Sequence, residues 1–545
     1  MCNTVVVTEL IDHRLRRSWT PEGGDAAHLP AKALRWLVQR IGPLGSAAPL
    51  APDSALSVPD SALSEQPKRD LEELVGAEHV LLSPGERLAR AGGLSYLDLV
   101  RRRGFGDFPV PDAVVLPENP AEVQSLLEIC ARHDVGVVPF GGGTSVVGGV
   151  AALRGDKNAV IALDLTRLGD LVSVDPVSRI AVLQAGLTGP EADRLLAGHG
   201  FTLGHVPQSY ERATIGGFAA TRSAGQASSG YGRFEDMVKG VRLATPRGEW
   251  KLGVAPASAA GPDLRQLAIG SEGALGVITE VALRVRPVPE VRRYEGYVLD
   301  GWEKGADAVR ELAQRHVLAD VTRLSDVDES EVSLALNDSL KTKALRRYLK
   351  ARGVHAPCLL IVGWEGASKR EVARRRGKTT GVLKEFGAVR IGAALGESWR
   401  RGRFSGPRQR DALMDNGVCV ETLETATYWA ELSDLRDAVR AALTATLGNA
   451  IIMCHVSHAY ETGASLYFTV LTARDEADPV GQWQRAKAAA SEAITGIGTI
   501  SHHHAVGVDH ARYLAAEIGE IGVEVLRAAK KAIDPAGILN PGKLL

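Results

Sequence analysis

The sequence predicts an α+β protein, in which an α/β domain is followed by an antiparallel sheet covered by helices. Between residues 73 and 290, short apolar runs alternate with amphipathic helical patterns, as in an α/β domain. From 291 to 504, extended apolar runs are separated by long helical patterns in repeated strand–helix–strand units, which indicates a second domain. Residues 505–545 then predict one long helix and a turn-rich tail that returns to the first domain.

Residues 1–72 are predicted to form a helical segment and a flexible linker. A basic amphipathic helix either packs on the body of a protein or lies on an anionic membrane surface, and both interpretations stay open. The linker prediction depends on the repeated PDSALS within residues 43–68, a stretch with few large apolar groups. The helical pattern consists of Lys32, Leu34, Arg35, Leu37, Val38, Arg40 and Ile41.

The elements of the two domains follow from local patterns of apolar residues and turn residues. In the first domain the pattern predicts helices over 121–134 and 189–200, the latter ending at Gly200, and strands over 135–140, 159–165, 180–186 and 275–290. In the second domain it predicts strands over 292–300, 318–326, 357–366 and 464–473, with helices over 301–315 and 369–386.

Composition excludes several classes of protein. The 64 Lys and Arg residues and 65 Asp and Glu residues give a formal net charge of −1, which argues against nucleic acid as a partner. Hydrophobic residues at 45% and charged residues at 24% exclude disorder over the whole length. The five cysteines form no CxxC, so a reducing compartment fits better than a disulfide framework or a zinc ribbon.

The sequence also bears on localisation. No apolar run reaches the roughly 18 residues of a membrane-spanning helix. The N-terminus lacks the basic and then apolar order of a secretory signal, and the closing GKLL is not a peroxisomal SKL address. We therefore expect a cytoplasmic protein, with peripheral contact at the inner membrane face as an open alternative.

Three glycine-rich segments lie in the first domain. The first, 139–145, has three adjacent glycines after a predicted strand, so its backbone N–H groups are free to face an anion. Its spacing fits neither GxxxxGK[ST] nor GxGxxG, which makes a P-loop or Rossmann assignment poor. A diphosphate loop and a tight structural turn both explain this motif taken alone. The other segments span 204–225 and 270–279, and three of them together are hard to explain as turns.

The order and spacing of PFGGGTS, GG-x3-TR and GSEGxLGVIT resemble the FAD-binding domain of the vanillyl-alcohol-oxidase flavoprotein family. The closing DPAGILNPGK resembles that family's C-terminal signature. The resemblance implies an FAD-binding α/β domain and a cap domain, with the FAD diphosphate on the first loop. Some members tether FAD through a histidine beside this loop; none stands there, so noncovalent FAD is implied. The implied cofactor-binding residues are Pro139, Phe140, Gly141, Gly142, Gly143, Thr144, Ser145, Gln208, Ser209, Thr214, Gly217, Thr221, Arg222, Ser223, Ala224, Glu272, Gly273, Ala274, Leu275, Gly276, Val277 and Ile278.

The successive residues His502, His503 and His504, with His455 and His458 earlier in the chain, have three interpretations. A metal site is one, but adjacent residues rarely present three ligands to one tetrahedral ion, and no Cys or carboxylate completes a set. A solvated polar stretch is another. The favoured interpretation is a polar active-site wall, because histidine acts as acid, base and hydrogen-bond donor near neutral pH. We therefore expect no metal.

The segment SHHHAVG, 501–507, resembles the SHHHGVG motif of the alkyldihydroxyacetonephosphate synthases, the flavoenzyme family that makes the ether bond of ether lipids. Ala505 replaces a glycine of that motif. The resemblance runs from about residue 96 to the end. Other matching segments are GHVPQS (204–209), RPVPE (286–290), TRL (322–324), RD (410–411), ET (424–425) and YETGASLYF (460–468).

That resemblance implies a transferase that exchanges the acyl group of acyl-dihydroxyacetone phosphate for a long-chain alcohol through a flavin N5 adduct, without net redox change. It implies Tyr467 as the proton donor and acceptor, tuned by the histidines because a neutral phenol is a weak base. Arg410 suits bidentate binding of the substrate phosphate, and Arg323 is implied to shape the same pocket. The implied catalytic residues are Tyr467, His502, His503, His504 and Arg323, and the implied substrate-binding residues are Arg410 and His205.

Two rival functions stay open. The first is an FAD-dependent oxidoreductase of a 2-hydroxy acid or a related alcohol on the same fold, although SHHHAVG departs from the HG motif of such relatives. The second is a flavin-binding protein without turnover. We expect lipid substrates as partners, leave membrane contact and a homodimer open, and expect no nucleic acid.

Overall fold

Four β-sheets organise the chain in this computed structural model, which describes residues 29–336 and 340–545. A four-stranded and a five-stranded sheet belong to the first domain, a two-stranded ribbon lies beside them, and a seven-stranded sheet forms the second domain. The predicted α+β class, with an α/β domain and an antiparallel cap, is confirmed.

The first domain opens with a small sheet whose inner strands run parallel. From the leading segment to the end of this sheet, the elements in chain order are α1 (Ala31–Ile41), α2 (Glu65–Val75), β1 (Val80–Leu81), α3 (Pro84–Ala89), α4 (Tyr96–Arg101), β2 (Ala113–Val115), α5 (Pro120–His133), β3 (Val135–Phe140) and β4 (Ala159–Asp164). The strand order is β1-β2-β4-β3, and only β1 is antiparallel. Helix α5 begins where the Asn119 side chain accepts the Glu122 N–H, and it ends at Asp134 in the left-handed conformation.

An antiparallel five-stranded sheet completes the first domain. The next elements are β5 (Leu171–Asp175), β6 (Ile180–Gln184), α6 (Gly189–Ala197), β7 (Phe201–Thr202), α7 (Ile215–Ala220), α8 (Ser228–Tyr231), α9 (Phe234–Met237), β8 (Val238–Thr245), β9 (Gly248–Leu252), α10 (Arg265–Ala268), β10 (Val277–Arg284) and β11 (Arg286–Pro287). The strand order is β5-β6-β10-β8-β9, and β7 pairs with β11. The helix that we expected to end at Gly200 ends at Ala197, and the strand predicted over 275–290 is divided into β10 and β11.

The second domain is one seven-stranded antiparallel sheet covered by helices. Its elements are β12 (Val291–Asp300), α11 (Trp302–Gln314), β13 (Val321–Ser325), α12 (Val327–Leu336), α13 (Leu340–Ala351), β14 (Pro357–Gly366), α14 (Lys369–Glu385), β15 (Val389–Gly392), α15 (Ala393–Gly402), α16 (Gly406–Asp415), β16 (Val418–Tyr428), α17 (Leu432–Leu447), β17 (Ala450–Ala459), β18 (Gly463–Ala473) and α18 (Pro479–Ile494). The strand order is β15-β12-β14-β13-β17-β18-β16. Helices α11, α14, α17 and α18 bury their apolar faces against this sheet and one another.

The segment before the first domain packs against the protein. Helix α1 buries Ala33, Leu37 and Ile41, which supports the interpretation of a helix on the body of the protein. The predicted linker is not free either. The N–H of Ala62 donates to the Asp112 carboxylate, and Leu63 is buried. Residues 1–28 of the leading segment lie outside the described residues.

The C-terminal part crosses back to the first domain. The long helix predicted there is α19 (Leu514–Ile533), but Gly519 has non-helical dihedrals and interrupts it. After α19 the chain turns at Asp534, whose carboxylate accepts the N–H groups of Ile538 and Leu539. Leu539 then pairs with Val137 of β3 in a parallel bridge. In the part of the chain that the structure describes, no helix combines the length and apolarity needed to cross a bilayer.

Candidate active site

The three glycine-rich segments meet at the carboxyl end of β3. A Cβ added at Gly142 would come closer than 3.0 Å to the backbone of Ala213, and one added at Gly273 would come equally close to the Pro139 ring. These positions therefore exclude side chains, because neighbouring segments touch there. Asn540, from the tail, donates to the carbonyl oxygens of Gly149 and Glu272 and so ties two of the segments together.

The predicted cofactor residues lie along this convergence. Thr214 caps α7, where its hydroxyl accepts the Gly217 N–H at 3.3 Å, and the Thr221 hydroxyl donates to the Gly217 carbonyl. The side chains of Ala274, Leu275 and Val277 are buried, and those of Ala274 and Val277 belong to apolar clusters. The other predicted positions, on the same loops or at the strand ends beside them, are Phe140, Gly141, Gly143, Thr144, Ser145, Ser209, Arg222, Ser223, Ala224, Gly276 and Ile278.

The loops fit an extended phosphate-bearing cofactor. Backbone approaches without Cβ atoms suit a diphosphate. The side-chain amide nitrogen of Gln208 is buried without a hydrogen-bond partner, so it is available to donate to an acceptor atom of a bound cofactor. Ser223 shares a hydrogen bond of 3.0 Å with Nε2 of His205, while Nδ1 of that ring is buried without a partner.

The histidine loop, which we define as residues 501–507, is held by one buried carboxylate of the cap sheet. Oε1 of Glu424 accepts the Ser501 hydroxyl at 2.9 Å and the N–H groups of His503 and His504 at 3.0 and 2.9 Å. Its Oε2 accepts the His502 N–H at 2.8 Å. Burial opposes this charge, yet the surrounding histidines, with His503 foremost, hold the pKa of Glu424 well below its ordinary value.

A second buried carboxylate holds the other end of the histidine loop. Glu272, a predicted cofactor residue, accepts the N–H groups of Val506 and Gly507 at 3.0 and 2.9 Å. Burial raises the pKa of Glu272 to about 7, although these two hydrogen bonds oppose the shift. Between the two carboxylates, Ala505 has φ of +73°, the left-handed region in which a Cβ is strained. The substitution of alanine for the family's glycine therefore falls on a position that favours glycine.

A row of side chains crosses four strands of the cap sheet beside this loop. Tyr467 on β18 pairs with Glu424 on β16 and with His455 on β17, and the rings of Tyr467 and His455 stack at 5.0 Å. Nη2 of Arg323, on β13, lies 3.0 Å from Nδ1 of His455 and 2.7 Å from the Glu329 carboxylate. Residues opposite each other on paired strands face the same way, so this row forms one wall.

A β-bulge brings a further histidine to the wall. The register between β17 and β18 shifts between Val456 and His458, where Ser457 is the extra residue. Strict alternation would point His455 and His458 to opposite faces, but the bulge turns both to the same face. The ring of His458 then stacks on that of His502 at 5.0 Å.

Most histidines of the site are held neutral. Burial lowers the pKa of His504 to about 3, and it also lowers the pKa values of His455, His458 and His502. Among the described residues, the rings of His458, His502 and His503 each place a nitrogen within 4.8 Å of the others, a spacing compatible with a metal ion. However, both ring nitrogens of His502 already have hydrogen-bonding neighbours, Tyr460 at 2.6 Å and His503 at 3.0 Å. Hydrogen bonds thus satisfy His502 without a cation.

Tyr467 differs in one respect from its predicted environment. Its ring stacks 6.0 Å from that of His503, but its phenol hydrogen-bonds to Thr422. Burial raises the pKa of Tyr467 to about 12, and the Thr422 hydrogen bond and the charge of Arg410 oppose the rise. The histidines therefore contact the phenol through their rings, and the phenol stays protonated at neutral pH.

The two predicted substrate-binding residues both reach this site. Arg410 lies near Tyr467, with Nη1 3.8 Å from the Glu421 carboxylate and a buried Nε that has no hydrogen-bond partner. His205 comes from the first domain and packs edge-on against Phe218. Burial lowers the pKa of His205 to about 3, and the proximity of His503 acts in the same direction. The site is therefore built between the two domains.

Several residues of this site were not predicted from the sequence. Glu424 appeared only as part of a matching segment, Thr422 and Glu329 were not considered, and Arg233 donates to the His502 carbonyl at 2.7 Å. The sequence gives little indication of their roles, because each of these residues hydrogen-bonds to backbone or to side chains that are distant along the chain. The bulge at Ser457 left no local signal either.

The fold and the loops define a flavoprotein of the FAD-linked oxidase type. The FAD binding domain family matches residues 111–252, and the C-terminal domain family of FAD linked oxidases matches residues 288–544. The alkyldihydroxyacetonephosphate synthase of Trypanosoma brucei brucei is 33% identical over 494 residues, which cover 87% of this chain and 80% of the relative. The synthase of Caenorhabditis elegans is 32% identical over 482 residues, which cover 84% of this chain and 80% of the relative.

A solved structure of alkyldihydroxyacetonephosphate synthase superposes with a TM-score of 0.79 at 28% identity, covering 94% of this chain and 92% of that one. The chain belongs to the alkyldihydroxyacetonephosphate synthase family. It is an FAD-dependent enzyme, as the sequence motifs predicted.

Proposed function

We propose that this chain replaces the acyl group of acyl-dihydroxyacetone phosphate with a long-chain alcohol, the reaction that the sequence resemblance implies. The observation that carries the proposal is the wall on which Tyr467, Arg410 and the histidine loop stand together, facing His205 of the first domain. FAD, bound by the glycine-rich loops of the first domain, would supply an electrophilic flavin ring at this wall.

Tyr467 is proposed to exchange the proton of the substrate carbon. Because burial keeps the phenol protonated, it can accept a proton only while it gives its own proton away. A neighbour must therefore take that proton. The neutral histidines beside it suit this role better than charged ones would, since a neutral imidazole has a free acceptor nitrogen.

Arg410 is proposed to bind the substrate phosphate. Its buried Nε lacks a partner, and its nearest carboxylate, on Glu421, stands at 3.8 Å, longer than a close ion pair. An unpaired guanidinium edge in a buried site suits a bidentate phosphate contact. Arg323 has a different setting, because Glu329 and His455 already engage it. We propose that Arg323 fixes His455 beside Tyr467.

The rival function is oxidation of a 2-hydroxy acid or a related alcohol. One experiment distinguishes the transferase from the oxidoreductase. The purified protein is incubated with acyl-dihydroxyacetone phosphate and hexadecanol, without an electron acceptor, and the lipids are measured by mass spectrometry. The transferase forms an alkyl product and free fatty acid. Reduction of an added dye by 2-hydroxy acids, with no alkyl product, would favour the oxidoreductase.

Long-chain substrates reside in membranes, so we also propose peripheral membrane contact. Helix α1 is a poor candidate because its apolar side is buried. Helix α19 instead exposes Ile518, Ile521 and Val525, the last two by 78% and 59%. Replacing Ile521 and Val525 by serine should reduce sedimentation with anionic vesicles. If the pair instead changes the mass measured by light scattering, this face joins a homodimer.

A further inference from the structure

A chain of hydrogen bonds leads from the histidine loop toward a surface cavity. Nδ1 of His503 lies 3.0 Å from Nδ1 of His502, and Nε2 of His502 lies 2.6 Å from the Tyr460 hydroxyl. Tyr460 follows the last residue of β17 and lines a cavity of about 470 Å³. Three side chains thus connect the wall that carries Tyr467 with this cavity.

The cavity lies behind the histidine loop and opens to solvent. Thr499 and Ile500, which directly precede the loop, form part of its lining. Tyr428 stands at its rim with 69% of its surface exposed. Tyr460 is partly exposed and lines this cavity, while its hydroxyl lies 2.6 Å from Nε2 of His502.

We propose that His503, His502 and Tyr460 form a proton relay that connects the active-site wall with the solvent of this cavity. The proposal rests on the proposed function, which requires a proton to leave the substrate carbon. Tyr460 is a relay residue without contact to substrate. It differs from Tyr467, which stands at the wall itself.

The relay conserves protons at every step. The substrate C–H bond breaks and its electron pair stays on the carbon as an enolate. The oxygen of Tyr467 takes this proton while its own hydroxyl proton moves to Nε2 of His503, directly or through one water. The Nδ1 proton of His503 moves to Nδ1 of His502, and the Nε2 proton of His502 moves to Tyr460. The hydroxyl proton of Tyr460 passes to water, so each side chain ends neutral.

Three features of the site suit this path. Burial lowers the pKa of His502 well below its ordinary value, so the ring carries one proton and one acceptor nitrogen. Burial also raises the pKa of Tyr460, which therefore remains a donor. Glu424 and Arg233 hold the backbone of His502 at its N–H and carbonyl groups, which fixes the ring between its neighbours.

The test follows exchange of the substrate proton in ²H₂O. With acyl-dihydroxyacetone phosphate and no alcohol, wild-type protein should introduce deuterium at the carbon that carries the ester. Tyr460→Phe should slow this exchange on the order of 10²-fold, the lower range for a placed proton-transfer group. Tyr428→Phe is the matched control, since it lines the same cavity without touching a histidine, and it should exchange as wild type does. FAD content and melting temperature should be unchanged in both variants.

Added imidazole separates proton transfer from packing. It should restore exchange in Tyr460→Phe with a rate that rises with imidazole concentration, since the base replaces the missing relay group. Equal exchange in Tyr460→Phe and wild type, or slow exchange without rescue, would overturn the relay and leave the proposed function standing. Loss of wild-type exchange on EDTA treatment, restored by Zn²⁺, would make the histidines a metal site instead. If the wild-type protein introduces no deuterium at the substrate carbon, the proposed function itself is contradicted.

Discussion

Replacing Glu424 by glutamine tests whether one buried carboxylate positions the histidine loop. Glutamine has nearly the same shape, but only one of its terminal atoms accepts hydrogen bonds. With its oxygen on the Oε1 side it keeps the Ser501, His503 and His504 contacts as neutral hydrogen bonds. Its amide NH₂ then faces the N–H of His502, which loses its acceptor.

The expected cost follows from these four hydrogen bonds. One buried N–H left unpaired costs about 1–3 kcal/mol, and weakening three charge-assisted bonds costs about 1 kcal/mol each. The total of about 4–6 kcal/mol is a large share of the roughly 5–15 kcal/mol that stabilises a folded domain. A loop opens at lower free energy than a whole domain unfolds, so we expect displacement of the histidine loop in a folded protein.

Glu424→Gln should therefore bind FAD normally and turn over at least about 10²-fold more slowly, because a displacement near 1 Å costs that much. The assays are flavin absorbance, melting temperature and alkyl-product formation. Glu365→Gln is the control. Its carboxylate accepts the hydroxyls of Tyr231 and Tyr294, which can rotate, and lies 3.6 Å from Nε of Arg292, away from the histidine loop, so the loss of activity should be small. Normal turnover in Glu424→Gln, with the loop undisturbed, would refute this account of the loop.

Four further outcomes are expected. Tyr467→Phe should remain folded and FAD-loaded while the chemical step slows by about 10²–10⁴-fold, and near-normal turnover would exclude a proton-transfer role. Arg410→Lys keeps the charge but should raise KM by an amount worth about 1.5–3 kcal/mol, which unchanged kinetics would contradict. Ala505→Gly should raise the melting temperature slightly, because relief of about 1–2 kcal/mol of backbone strain exceeds the entropic cost of glycine. The control Ala528→Gly, within helix α19, should lower the melting temperature. Burial lowers the pKa of His504 from 6.5 to about 3, so below pH 6.5 the unfolded chain binds a proton that the folded chain does not bind. The free energy of unfolding should therefore fall as the pH drops below 6.5, and it should fall less steeply in His504→Gln.

The FAD of the purified protein should be released by acid. No histidine stands beside the first glycine-rich loop to tether the flavin, so we expect FAD to be held noncovalently. Denaturation and centrifugation separate free from bound flavin. Flavin that stays with the precipitated protein would show a covalent link.

Much of the first domain and its loops could be predicted from the sequence. Glycines that exclude a Cβ leave a visible pattern, so the convergence of Gly142 and Gly273 on their neighbours was foreseeable from the motifs. Four of the seven cap strands, β12, β13, β14 and β18, followed from their sequence patterns, whereas β15, β16 and β17 were not predicted. Element ends were less accurate, as Gly200 shows: it has φ of +78°, but α6 ends at Ala197, three residues earlier.

The chemistry of the cap wall was less predictable, because it depends on contacts between distant residues. Glu424 binds a loop about 80 residues further on, and nothing near it in sequence indicates that role. The bulge at Ser457 decides where His458 points, and alternation alone would have reversed it. Ala505, in contrast, was recognised in the sequence as a departure from a glycine. Its positive φ explains why glycine is favoured at this position.

The central claim, transfer of an alkyl group without net redox change, is tested most directly by the fate of the alcohol oxygen. Purified protein is incubated with acyl-dihydroxyacetone phosphate and hexadecanol labelled with ¹⁸O, without an electron acceptor, and the products are analysed by mass spectrometry. The account predicts an alkyl product that keeps the ¹⁸O in its ether bond, together with unlabelled fatty acid. An unlabelled ether, or no ether at all while a 2-hydroxy acid reduces an added dye, would contradict it.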